Sequence, residues 1–243
     1  MPQNTHLEIV NAESERWRET VHVNRDPQQL HDAANVLARN LVWLPNSSAP
    51  QDFVDRTAIV SAALKPIFAA LDLPAPAVAI SDDFRWLYDN GRLFYTELHN
   101  IEEAFHQEKH VPRVRNEKND IVPRSLALAE KYLQTVSYEF NEQEFVLFTE
   151  VFQKTTVMDL RELWLLVSAL KLVLLQQIAV RGQRLVNDPT DNTQKIAVCI
   201  RSLREVGQIS WKDVLEPLFA VDQLLRQDPA GAYAQMDFDS RHY

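Results

Sequence analysis

Four glycines in 243 residues, Gly91, Gly182, Gly207 and Gly231, constrain this backbone more than any other feature. Average usage gives roughly four times as many. Glycine supplies the left-handed residues of tight hairpins and lets a backbone close on a phosphate. A chain this poor in it is expected to build from helices. It also holds no G-x-G-x-x-G or Walker-type loop, so the familiar nucleotide-binding turns are excluded. Hydrophobic residues make up 46% of the chain, enough to bury a core, and charged residues 24%, which is ordinary for a globular protein. The expected fold is all-α: a multi-helix bundle with a central apolar helix near 160–182 and no sheet.

Periodicity and capping place the elements. Asp26-Pro27 is a cap followed by a first-turn proline and opens a helix to about residue 41, with Leu30, Ala33, Ala34 and Leu37 on one face. Residues 45–50 break it. A second helix is expected over 51–73, with Pro66 as a kink point. Residues 73–80, with Pro74 and Pro76, read as a linker. Ser81 caps a long helix over 82–109, in which Phe84, Leu87, Tyr88, Leu98, Ile101 and Phe105 recur at helical spacing. A polar loop over 110–123 precedes helices at 123–140 and 142–154, the second capped by Asn141. Residues 163–180 are the most apolar segment. Lys171, Ser168, Gln176 and Gln177 interrupt it, and an ionised lysine at mid-bilayer costs about 2.5–3.5 kcal/mol on insertion scales, so a core helix is expected there rather than a span. Helices over 190–206, with Gly207 as its C-cap, and 211–227, capped by Ser210, complete the pattern. The domain reading is a tail at 1–15, an N-terminal helical subdomain at 16–73 and a main helical domain at 81–243.

The formal charge of −9 disfavours a nucleic-acid surface, which needs clustered Lys and Arg. The one basic run, residues 110–124, also carries Glu117 and Asp120 and reads as a solvated loop. Cys199 is the only cysteine, so no internal disulfide forms; its apolar neighbours mark it as a buried thiol in a chain suited to a reducing compartment. The first fifteen residues are polar, without the apolar stretch of a secretory leader.

Several constellations hold residue types that could carry chemistry. Asp89, His99, Glu102, Glu103 and His106 fall within about five turns of one predicted helix. Glu103/His106 and Glu19/His22 are Glu-x-x-His pairs of the kind that build di-iron centres in helix bundles, but they read more simply as hydrated helix faces. Arg161-Glu162 could form an active-site pair, yet an acid in a first helical turn commonly opposes the helix dipole. Asp237-Phe238-Asp239 has the Asp-x-Asp form that can hold a hard cation, with no strand before it to present the motif. Trp86, Trp164 and Trp211 lie in apolar helical patterns and are expected in the core; Trp17 and Trp43 are freer to face a ligand. No catalytic, cofactor-binding or metal-ligating set is assigned on these grounds.

Four blocks carry a resemblance. They are Trp86-Leu87-Tyr88-Asp89-Asn90; Arg161-Glu162-Leu163-Trp164 followed by Leu170-Lys171-Leu172; Ser202-Leu203-Arg204 followed by Ser210-Trp211-Lys212-Asp213; and the run of residues 228–241, Asp-Pro-Ala-Gly-Ala-Tyr-Ala-Gln-Met-Asp-Phe-Asp-Ser-Arg. In content and order they resemble the N-terminal cytoplasmic helical region of bacterial cyclic β-1,2-glucan synthases, over about residues 80–243. The resemblance implies a very large inner-membrane parent that polymerises glucose from UDP-glucose through a membrane-embedded transferase domain. The matched region is the portion before that domain, so none of the family's catalytic residues carries over. The chain is then expected to be a truncated portion of the parent. Its role would be a non-catalytic accessory scaffold in glucan biosynthesis on the cytoplasmic side of the inner membrane, partnered by the transferase domain of the same or another polypeptide. The rival readings are a stand-alone helical interaction module and a metal-dependent helical enzyme using Asp89, His99, Glu103 and His106.

Overall fold

The computed structural model describes residues 25–48, 51–71, 81–106, 110–116 and 119–219. Among them lie nine α-helices, one 3-10 turn and three strands. Helix α1 (Pro27–Asn40) starts where expected: the Asp26 carboxylate accepts from the Gln28 N–H, and Pro27 opens the first turn. Its Leu30, Ala34, Leu37 and Ala38 are buried. Helix α2 (Gln51–Leu71) contains Pro66 and remains helical to its end. Ser81 caps α3 (Asp82–Asp89) by accepting from the Phe84 N–H.

The single long helix expected over 82–109 is two helices, α3 and α4 (Gly91–His106). The break falls at Asn90, whose side-chain amide donates to the Trp86 carbonyl at 2.7 Å and so competes with the next helical hydrogen bond. The following residue must also be small. A Cβ on Gly91 would lie 2.9 Å from the Phe68 ring, closer than packed atoms approach. Tyr88, expected on the apolar face, is exposed.

The expectation of no sheet is overturned. Strands β1 (Val42–Ser48), β2 (Val111–Arg115) and β3 (Ile121–Pro123) form an antiparallel sheet in the order β1-β2-β3. Trp43 pairs with Val114 and Val114 with Val122. Val114 and Val122 turn onto Ala127 of helix α5 (Arg124–Thr135) and make a small second core. Glycine scarcity fails as a guide here because asparagine replaces glycine in the β2–β3 turn. Asn119 adopts φ 68°, a conformation asparagine tolerates better than most residues. Asn116 accepts the Asp120 N–H through its side chain and the Asn119 N–H through its carbonyl. The exit from α5 is similar, with Ser137 and Tyr138 both left-handed and the Tyr138 N–H closing on the Leu133 carbonyl at 2.7 Å.

Helix α6 (Glu142–Gln153) is capped by the Asn141 side chain. The apolar segment lies in α7 (Leu160–Asn187), which runs through the middle of the molecule against α2, α4, α5 and α8 (Ile196–Gln208). Asp159 and Glu162 close its N-terminus as a reciprocal capping box. By length and composition alone α7 could cross a bilayer, with a mean hydropathy of 1.9 over its most apolar 18 residues, but 61% of that stretch is buried inside the protein. Leu163, Leu166, Leu170 and Leu174 are fully covered. Trp164, expected in the core, lies on the outer face at 40% exposure. Gly182 lets α2 and α3 close on α7, since a Cβ there would lie 3.1 Å from Ile67 and 3.3 Å from Leu87.

Helix α8 begins at Ile196 rather than 190. Before it, Asp188 and Asp191 side chains accept the N–H groups of Thr190 and Thr193, local turns that compete with helix. Gly207 lies within α8, and Ile209 is the cap. Helix α9 (Trp211–Leu215) gives way to a 3-10 turn over Glu216–Leu218, because Pro217 cannot continue an α-helix. The α-helix expected to 227 thus ends at Leu215, and residues 220–227, the tail at 1–15 and the linker at 73–80 lie outside the described residues.

Candidate functional site

The candidate metal ligands whose side chains are described, Asp89, His99, Glu102 and Glu103, do not converge. Helix α4 turns Phe94, Leu98, Ile101 and Phe105 inward, and Glu97 alone of its acids goes in with them. His99 and Glu103 meet each other at 3.5 Å on the outer face, with side chains 71% and 64% exposed. Asp89 is exposed and Glu102 half-buried. Among the described residues no three His, Cys, Asp or Glu side chains gather as a metal site would require. Glu19, His22, Trp17, Asp237 and Asp239 lie outside the described residues.

Glu162 has a role that local reading could only half see. It takes part in the capping box, and its carboxylate is also gripped by Arg124 from the first turn of α5. Arg124 Nε donates to Oε1 at 2.8 Å and Nη2 to Oε2. Nη2 also reaches the Val157 carbonyl at 3.2 Å. Both side chains are 2% exposed. Trp43 lies across the guanidinium at 4.3 Å, so this tryptophan, half exposed, covers a cation of its own chain. Burial pushes the Glu162 carboxyl above its ordinary value; the Arg124 hydrogen bonds and charge pull the other way without cancelling it. A cavity of about 180 Å³ opens beside Glu162, bounded by His110, Pro112, Asp159, Arg161 and Leu165. It is small and mixed in charge, with no nucleophile and base in register. Arg161 itself is exposed. In sequence Arg124 is the end of a basic loop, and no short-range signal marks its partner 38 residues away.

Several other polar residues of the resembling blocks tie elements together. Arg204 of α8 donates to the buried Asn90 Oδ1 at 2.6 Å, its guanidinium 5.9 Å from the Trp86 ring. The first and third blocks therefore touch. Lys171 of α7 donates to Glu97 of α4 at 2.7 Å, with side chains 16% and 10% exposed. Ser202 accepts the Phe140 N–H and donates to the Tyr138 carbonyl. Asp83 of α3 accepts the Ala197 N–H and so caps α8, whose own cap position, Lys195, offers no side-chain bond. Cys199 is fully buried, and burial pushes its thiol up to about 11.

A larger concavity lies between two helices. A groove of about 690 Å³ runs between α2 and α7. Ile59, Val60, Ala63, Ala179 and Val180 are its apolar lining, and glutamines, Asn187 and Arg184 complete it. No family model and no curated protein matches the chain.

Proposed function

We propose that this chain is a non-catalytic accessory scaffold of a cyclic β-1,2-glucan synthase-like protein, on the cytoplasmic side of a bacterial inner membrane. In this reading it supports a transferase domain that builds glucan from UDP-glucose. One observation carries the reading beyond the motif resemblance. Three polar side chains or pairs of the resembling blocks join helices: Asn90 with Arg204, Glu162 with Arg124, Lys171 with Glu97. Residues held this way set the shape of a surface and are not free to turn over a substrate.

The test is glucose incorporation from UDP-glucose in membranes containing the parent protein, with and without residues 81–243, alongside the purified chain alone. The expected result is loss of incorporation on deletion, recovery when the chain is added back, and no turnover by the chain itself. Unchanged incorporation after deletion, or glucose transfer by the isolated chain, overturns the proposal.

A further inference from the structure

We infer that the Asn90–Gly91 step is a spontaneous deamidation site, locked in the folded chain by α8 and α2 and released when α8 withdraws. It is the one Asn-Gly pair in the sequence. The chemistry needs no catalyst. The Gly91 backbone nitrogen loses its proton and attacks the side-chain carbonyl carbon of Asn90. The bond from that carbon to the amide nitrogen breaks, and ammonia leaves with the proton. Water then opens the cyclic imide, at the side-chain carbonyl to give aspartate or at the backbone carbonyl to give isoaspartate. Glycine after asparagine favours the attack because no side chain hinders it and the backbone turns freely. The inference is independent of the scaffold reading.

The packing demands both residues of this labile pair. Asn90 is 3% exposed, and each end of its amide is used. Nδ2 donates to the Trp86 carbonyl at 2.7 Å, and Oδ1 accepts from Arg204 of α8 at 2.6 Å. Aspartate still accepts from Arg204 but sets an oxygen against the Trp86 carbonyl. Gly91 admits no Cβ, because one would lie 2.9 Å from the Phe68 ring of α2.

The same contacts block the reaction. The side chain cannot swing its carbonyl carbon onto the Gly91 nitrogen without giving up both hydrogen bonds. The imide ring also requires the Asn90 backbone to leave ψ 8°, which displaces the start of α4 from its seat on Phe68. Conversion therefore proceeds through local opening, and its rate follows how often that opening occurs. Arg204 sits on the element that has to move. Helix α8 packs on α3, and the bond from Arg204 to Asn90 has a charged donor, which makes it one of the stronger kind. The product works as a ratchet. Isoaspartate lengthens the main chain by one carbon between α3 and α4 and has no amide to offer Trp86, so the junction cannot close again as it was.

The experiment ages the full chain at mildly alkaline pH, digests it, and reads residue 90 by mass spectrometry with fragmentation that separates aspartate from isoaspartate. Wild type, Arg204→Met and Arg204→Lys are compared in buffer, and wild type also in denaturing urea. Circular dichroism establishes which variants are folded. The expected result is rapid conversion in urea and conversion at least about tenfold slower in native wild type. Folded Arg204→Met should convert about tenfold or more faster than native wild type, with Arg204→Lys between the two. Should Arg204→Met not fold, wild type in urea just below its unfolding transition supplies the comparison: conversion should rise before ellipticity falls, and conversion that only tracks the global transition overturns the gate. Equal rates for native and unfolded wild type overturn the lock. A folded Arg204→Met as slow as wild type overturns the role of α8, and an Asn90 that stays intact in urea overturns the site itself.

Discussion

Arg124 is the most exposing place to perturb this molecule. Replacing it with methionine keeps most of the side-chain volume and removes the one cation among the described residues bonded to Glu162, which is 2% exposed. Removing one partner of a buried ion pair costs about 3–5 kcal/mol. For a chain of this size each kcal/mol moves the midpoint by about 2–4 °C. Arg124→Met should therefore melt about 6–20 °C below wild type near neutral pH. The deficit should also depend on pH, with a sign set by Glu162. Burial already raises its carboxyl in the folded protein, and losing Arg124 removes the two largest influences that lower it. The folded form then holds the proton more tightly than the unfolded chain. Stability from this group is full below the unfolded value and is lost as pH rises through the folded value, at up to about 1.4 kcal/mol per pH unit. The variant should thus recover part of its loss as pH is lowered towards the ordinary glutamate range. The double variant Arg124→Met/Glu162→Leu leaves no charge stranded and should melt near or above wild type. Differential scanning calorimetry of the three proteins across pH reads all of this. A single variant melting within about 2 °C of wild type, or a double melting no higher than the single, would refute the reasoning.

Two further perturbations follow from the same packing. Leu170→Asp places a carboxylate at a fully covered position of α7 and opens a cavity, at a cost of several kcal/mol; far-UV circular dichroism should show loss of the cooperative transition, and a melt close to wild type would remove α7 from the core. Cys199, buried and with its thiol pushed up to about 11, should resist a thiol reagent at about pH 8 until guanidinium unfolds the chain; rapid stoichiometric labelling of native protein would contradict its placement.

The parts legible in sequence are those governed by neighbours along the chain. Asp26, Ser81 and Asn141 cap as their spacing predicts because a cap involves only the next three residues. The run around Leu170 reads as a core helix because its own composition decides it. The division at Asn90 was also written locally, in an Asn-Gly step that marks turns, but the apolar period across it concealed the break. Pro217 likewise stood inside the helix expected over 211–227. The sheet was hidden for a different reason. β1 and β2 pair across the intervening α2, α3 and α4, and no local pattern announces a partner so far away. The glycine argument then pointed away from strands because it did not allow Asn119 to do glycine's work. For the candidate site, Glu162 was visible as a first-turn acid, and Arg124 and Glu97 became visible only as partners.

The placement of those partners explains why an apolar helix carries charge at all. A helix surrounded by leucines can rotate or slide at little cost, because one leucine resembles the next. Glu162 and Lys171 are nine residues apart, which at about 100° per residue sets them on opposite sides of α7. One is held by Arg124 on α5 and the other by Glu97 on α4, so the helix is fixed from two directions. Replacing both pairs with apolar residues, Arg124→Met/Glu162→Leu with Glu97→Leu/Lys171→Met, should preserve helix content, because burial of α7 is retained. It should nevertheless broaden the thermal transition and reduce dispersion in amide NMR spectra, because nothing then selects one rotation of α7 over its neighbours. A quadruple variant with a sharp transition and well-dispersed spectra would show that the leucine packing alone sets the register, and the ties would lose the role given to them here.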